Sequence, residues 1–193
     1  MKYVRLSILL LIMIPTLAAA QHVELGVFAN YNYINDSPAA NNLVGVGGRA
    51  DINLVRILQL ELEMAYDFKY PHVNSAQGTN AVVFTTTQLG ILHANAGLKV
   101  QSRGGSFFGF IKGGVNQYQV ESRIDTVTGI PPTLGVARLP DQTYLKGILY
   151  PGAGIGFHAG PLGIRLDAGD EISWINGSVN NSFRATFGPT IRF

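Results

Sequence analysis

Eight times between residues 23 and 193 the chain alternates apolar and polar side chains with a period of two. In 23–34, Val23, Leu25, Val27, Ala29, Tyr31 and Tyr33 interleave with Glu24, Gly26, Phe28, Asn30 and Asn32. In 58–68, Leu58, Leu60, Leu62, Met64, Tyr66 and Phe68 alternate with Gln59, Glu61, Glu63, Ala65 and Asp67. The same period runs through 44–54, 83–100, 107–120, 144–159, 162–174 and 183–193. Side chains on a strand point to opposite faces in turn, whereas a helix repeats every 3.6 residues, so this pattern demands β-structure. Two segments are less regular. The first half of 83–100 is out of phase, which predicts a bulge near Gly90. Segment 107–120 is ambiguous, with Lys112 arguing for Ile111 on the apolar face.

The connections sort themselves. Those after the first, third, fifth and seventh segments (35–43, 69–82, 121–143 and 175–182) are long and polar. Those after the second, fourth and sixth (around 54–57, 101–106 and 159–162) are short. Strict alternation of long and short predicts an all-β, eight-stranded antiparallel up-and-down barrel with one looped end and one tight end. Segments of about 11 residues also match what a tilted strand needs to cross a bilayer.

Alternation alone does not say which face looks outward, so a soluble lipocalin-like barrel is the first rival. Charged residues make up 13% of the chain, about half the usual share, and a soluble exterior would be richer in Lys and Glu. Aromatic residues gather at strand ends. Tyr31, Tyr33, Tyr66, Phe68, Tyr70, Tyr118, Tyr144, Trp174 and Phe183 fall toward the long loops, and Phe107, Phe157 and Phe193 toward the short turns. Amphipathic rings at two levels suit two membrane–water interfaces. The apolar face is therefore expected against lipid and the polar face in the lumen.

Placed inside, the polar face brings together the acids Glu24, Asp51, Glu61, Glu63, Asp67, Asp167 and Glu171 with the bases Arg49, Lys99, Lys112, Arg165, Arg184 and Arg192. Near neutrality is what a closed interior requires, because an unpaired buried charge is costly. Arg49, Glu61, Glu63, Lys112, Arg165 and Asp167 are the expected ion-pair network at mid-height. Arg49 is expected to face Glu61 or Glu63, Arg184 to face Glu171, and Arg192 to face Glu24. The network fills an eight-stranded lumen as a plug, or, in the sharper reading, gates a narrow ion path.

Residues 1–20 (MKYVRLSILLLIMIPTLAAA) combine a basic start at Lys2 and Arg5, an apolar run from Ile8 to Ile14, and Ala18-Ala19-Ala20 before Gln21. This predicts a cleavable signal peptide, leaving 21–193 as the barrel domain. Its removal takes two of the 14 basic residues and none of the 12 acidic ones. The mature chain is then formally neutral, and no nucleic-acid partner is expected. The four histidines, His22, His72, His93 and His158, lack a neighbouring nucleophile at catalytic spacing, and no cofactor or metal motif is present. A non-enzymatic protein is expected, with a lipid-modifying membrane enzyme as the rival.

The leader, the eight segments, the sorted loops and the terminal Phe187-x-Pro189-x-Ile191-x-Phe193 resemble the small eight-stranded outer-membrane barrels of Gram-negative bacteria, the OmpA-type transmembrane domain and its relatives. The resemblance implies an outer-membrane location with long loops extracellular and both termini periplasmic. It implies contact with lipid and lipopolysaccharide, and recognition of Phe193 by the barrel-assembly machinery. It further implies a monomer with a structural or surface-interaction role and at most weak pore activity. Loop 121–143, the longest, is the expected contact for a surface ligand.

Overall fold

Cross-strand pairing closes the sheet on itself. The computed structural model describes residues 23–34, 42–77, 81–102, 106–128, 133–175 and 178–193. The expected signal peptide and the body of connection 35–43 lie outside the described residues. Within them run β1 (Val23–Ile34), β2 (Asn42–Val55), β3 (Leu58–Gln77), β4 (Ala81–Gln101), β5 (Phe107–Thr128), β6 (Thr133–Arg138), β7 (Gln142–Ala159), β8 (Leu162–Ile175) and β9 (Ser178–Arg192). Neighbours pair antiparallel in the order β4-β3-β2-β1-β9-β8-β7-β5, and β4 pairs with β5 to complete an eight-stranded barrel.

The additional strand, β6, is an upward continuation of β7. Val120 pairs with Gln142 and Arg123 with Arg138, so three steps on β5 oppose four on the other strand. Pro140, which has no N–H to donate, lies in this break, and Leu139 N–H donates to Ser122 O at 3.0 Å. β6 then runs beside β5 from Arg123 to Thr128.

Two connections expected as loops are thus largely strand. β3 and β4 stay paired up to Gln77 and Val82, and β5 and β6 up to Thr128 and Thr133. Runs such as Val82, Val83, Phe84, Thr85, Thr86 and Thr87 are strong strand formers and carry the ladder past the barrel. β2 leaves β3 at Gly45 opposite Asp67. Above that level β3, β4, β5 and β6 form a one-sided crest. Residues 70–77 alone rise about 25 Å at roughly 3.3 Å per residue.

The expected bulge near Gly90 lies across the ladder from it. Asp67 pairs with Ile91 and Tyr70 with Leu89, so Phe68 and Lys69 on β3 together oppose Gly90 on β4. β4 keeps its phase throughout. The apolar Leu89 and Ile91 are buried, on the same face as His93. Their hydrophobicity reflects an apolar layer inside the upper barrel, where Leu43, Leu89, Ile91 and Tyr118 pack together with Ile34 and Val120.

At the tight end two-residue turns lie at 56–57 and 160–161, and Ser102 N–H donates to Phe107 O at 2.8 Å. Gly160 holds φ at 65°, a left-handed conformation that suits glycine and sets the two-residue hairpin between β7 and β8.

Candidate functional site

The barrel is inverted relative to a soluble protein. Val27, Met64, Ile111, Ile164, Leu166 and Phe187 stand exposed on the outer wall, while Glu61, Glu63, Lys112, Arg165, Asp167 and Arg184 are buried in the lumen. Sequence neighbours such as Leu60, Glu61 and Leu62 are driven to opposite faces by the pleat alone. Phe107, Phe157 and Phe193 are exposed at the tight end. Tyr31, Tyr33, Phe68, Trp174 and Phe183 are exposed toward the opposite end. Tyr118, expected in that outer girdle, is instead buried in the lumen, stacked on Tyr144 at 5.2 Å with Lys146 over both rings.

At mid-height the charges form one connected cluster. Lys112 Nζ lies 2.7 Å from both Glu61 Oε1 and Glu63 Oε2. Arg165 reaches three carboxylates: Asp51 at 3.0 Å, Glu61 at 2.9 Å and Asp167 at 2.6 Å. Lys99 pairs with Asp51 from below. Arg49, expected against Glu61 or Glu63, sits opposite Glu63 in the ladder but crosses the lumen. It donates to Asp167 Oδ2 and Thr186 Oγ1, both at 2.5 Å. The reason is supply: Glu63 is already held by Lys112 and by Arg184 at 2.9 Å, and a planar guanidinium fork suits an adjacent carboxylate and hydroxyl.

Above this level His93 links two carboxylates. Its Nε2 is 2.9 Å from Asp67 Oδ2 and its Nδ1 is 3.3 Å from Glu171 Oε2. Asp67 also accepts from Asn30 and Asn32, and Glu171 accepts from Asn116. Arg184 Nε donates to Asn30 Oδ1 at 2.7 Å, with Nη1 3.7 Å from Glu171. At the tight end Arg192 Nε meets Glu24 Oε2 at 2.7 Å across the seam between β1 and β9, joined by His158. Nothing in a single strand reveals that the ring of His93 lies between carboxylates of β3 and β8.

Aromatic rings complete the filling. Arg49 stacks over Phe28 at 4.2 Å, Arg165 over Phe108 at 4.3 Å, and Lys112 over Phe110 at 4.3 Å. Each of these rings lies against a glycine paired with it on the adjacent strand: Gly47 with Phe28, Gly154 with Phe108 and Gly152 with Phe110. A Cβ at any of the three would fall inside the facing ring. The inward glycines are therefore slots for aromatic plates that carry the cations. Glu61, Asp67, His93, Asn116 and Arg184 each have a relative exposure of 0%, so these groups are closed to water.

Ion pairs also lie outside the barrel proper. On the outward face at the foot of the crest, Lys69 Nζ meets Glu121 Oε1 at 2.5 Å. The hydrogen bond to Glu121 raises Lys69 above its ordinary pKa, and the bond from Lys69 lowers Glu121 below its own.

No protein-family model matches the chain, and no curated protein matches it. Solved structures do. Ail, the attachment invasion locus protein of Yersinia pestis, in complex with the heparin analogue sucrose octasulfate, aligns with a TM-score of 0.53 at 14% identity, over 89% of this chain and 97% of that one. A de novo designed transmembrane β-barrel aligns at 13% identity and TM-score 0.43, over 90% and 96%. Neisserial surface protein A aligns at 9% identity and TM-score 0.36, over 89% and 96%. The chain has the fold of the small eight-stranded outer-membrane barrels.

Proposed function

We propose that the mature chain is a monomeric outer-membrane barrel whose lumen is sealed and whose exposed crest makes the contacts. The observation that carries this reading is the inversion of the wall. Leu62, exposed at 44%, sits between Glu61 and Glu63, both shielded. That arrangement is stable where the outside is hydrocarbon and the inside is closed to water.

The paired lumen serves as a plug. Asp51, Glu61, Glu63 and Asp167 each lie within 4 Å of two cationic groups, so no carboxylate is left to conduct ions through a wet path. With β1, β2, β8 and β9 ending low and β3 to β6 rising high, surface contacts fall to the crest, including hairpin β5–β6 from the 121–143 region. A structural or binding role follows, in contact with lipid and lipopolysaccharide. The likeness to a barrel solved with a sulfated sugar supports a surface ligand. Residues 1–20 serve as the signal peptide. Phe193, exposed at 68% with its N–H donating to Val23 O at 2.9 Å, is presented at the tight, periplasmic end as the assembly signal.

Cell fractionation combined with heat-modifiable gel mobility tests barrel and location together. Recovery in the outer-membrane fraction with a mobility shift on boiling supports the reading; a periplasmic or supernatant protein without the shift overturns it. Planar-bilayer recordings test the plug. Steady conductance in the wild type that Glu61→Gln and Lys112→Met alter would replace the plug with a gate.

A further inference from the structure

We propose that the outer wall around Asp170, on β7, β8 and β9, is a lateral docking face for a second membrane-embedded chain. That partner is a different protein and presents one Lys or Arg below the upper aromatic girdle. The proposal rests on the lipid-facing wall given above and names a contact made within the bilayer.

Asp170 points the wrong way for a charge in this barrel. Its β8 neighbours Arg165, Asp167 and Glu171 are buried in the lumen. Asp170 instead shares the outward phase of Leu166 and Trp174, and it lies directly opposite Phe183 of β9. All three of those apolar side chains are exposed on the outer wall. Among the described residues, every other charged side chain of the strands between the two girdles faces the lumen.

The carboxyl group is also deep. Asp170 stands eight residues above Leu162 at the tight end and four below Trp174. At about 3.3 Å per residue on a strand tilted by roughly 40°, it lies about 20 Å up an apolar band about 25 Å tall. Trp174 stands about 10 Å higher still. The short side chain of Asp cannot span that gap to the interface as a long Lys or Arg does. An ionisable group at such a depth is costly unless something pairs with it.

Nothing on this chain does so. In the lumen Asp167 meets Arg49 and Arg165, and Glu171 meets His93 and Arg184. Among the described residues no cation lies within salt-bridge distance of Asp170. The wall beneath it is indented. Gly109, Ala153, Ala168 and Ala185 form one cross-strand row over β5, β7, β8 and β9, along a hollow of about 920 Å³ bounded by Phe107 and Leu166. Small residues let a neighbouring backbone come close inside a membrane, where packing and polar pairing replace the hydrophobic effect.

Charge and depth together select the occupant. The amine of a lipid head sits with the phosphates, above the level of Trp174. A second copy standing upright brings only its own Asp170 to this depth, a like charge. A Lys or Arg on another membrane-embedded chain reaches Asp170 along the wall while its backbone rests in the hollow.

The test uses the full barrel domain in phosphatidylcholine vesicles and a synthetic twenty-residue Leu-Ala helix. The helix carries dansyl at one end and a single lysine about seven residues in, so that about 10 Å separates them. Trp174, the single tryptophan, reports association by energy transfer to dansyl. The lysine helix is expected to associate about fivefold more tightly than the same helix with leucine at that position. Asp170→Asn should abolish the difference and Asp170→Glu should keep it. Ala168→Phe, which fills the hollow, should weaken both helices. Equal transfer from the two helices, or a lysine preference that Asp170→Asn retains, overturns the proposal. A preference lost when phosphatidylethanolamine replaces phosphatidylcholine also overturns it, since a lipid amine then holds the carboxylate. Heat-modifiable mobility of each variant, read before the helix is added, reports insertion of the barrel, so failure of the lipid-facing wall is seen separately.

Discussion

Replacing Arg165 with Met tests the electrostatic account of the lumen most directly. The guanidinium touches Asp51, Glu61 and Asp167 and stacks over Phe108. Methionine keeps most of the stem but removes the charge. Breaking a buried ion pair costs about 3–5 kcal/mol, because the partner is left uncompensated. Here each partner keeps a second cation: Lys99 for Asp51, Lys112 for Glu61, and Arg49 for Asp167. The expected loss therefore sits at the lower end, about 3 kcal/mol. With a urea slope of roughly 2 kcal/mol per molar, the midpoint should fall by about 1.5 M. Urea titration in phospholipid vesicles reads this through Trp174, the single tryptophan. Adding Glu61→Gln removes one now-excess negative charge and should recover about 1 kcal/mol, a non-additivity expected of groups in one network. A midpoint unchanged within about 0.3 M, or strictly additive losses, would refute a lumen organised by shared charges.

Other outcomes follow from the same geometry. Gly152→Val drives a side chain into the ring of Phe110 and should cost about 1–3 kcal/mol or prevent refolding, whereas Gly113→Ala, whose nearest neighbour is 3.8 Å away, should leave the urea midpoint within error. Leu62→Arg on the outer wall should cost about 2–4 kcal/mol in vesicles, and an unchanged midpoint there would place that wall in water. Deleting Phe193 should slow assembly in cells, read as the unshifted gel band, with little effect on refolding in detergent. The pair of Lys69 and Glu121 should make the foot of the crest acid-sensitive. Its lowered carboxylate supplies stability above the ordinary Glu range, near pH 4.3, and loses it as pH falls through the depressed folded value. Amide exchange in the crest, corrected for intrinsic rates, should quicken from about pH 5 to about pH 3 in the wild type and not in Glu121→Gln.

The period of two was enough to read eight strands, their order and the face most of their residues take. Leu60, Glu61 and Leu62 admit no other arrangement on a pleated strand with one dry side. Lys112 rightly placed Ile111 outward in a segment crowded with phenylalanine and glycine. What the sequence did not show is where the pattern weakens for a reason outside the strand. Leu89 and Ile91 look out of phase because the upper lumen is apolar: β5 sets Tyr118 opposite Ile91, and closure of the barrel brings Leu43 to them. Connections 69–82 and 121–143 read as loops from their polarity, yet a strand with water on both faces is polar too. Arg49 finds Asp167 across the lumen and not Glu63 beside it, because Lys112 and Arg184 already hold Glu63. Likewise His93 gains a role only when β8 brings Glu171 to its second nitrogen.

The alternation that inverts the finished wall has an earlier consequence for the chain that builds it. Before closure, polar or charged groups interrupt every strand, so no barrel segment offers the twenty-residue greasy stretch that lodges in a bilayer as a helix. A newly made chain can thus pass through one membrane without stopping and travel in water. Its oily surface comes into being only when the first and last strands meet, at Glu24 and Arg192, and the polar half of every strand turns in upon itself.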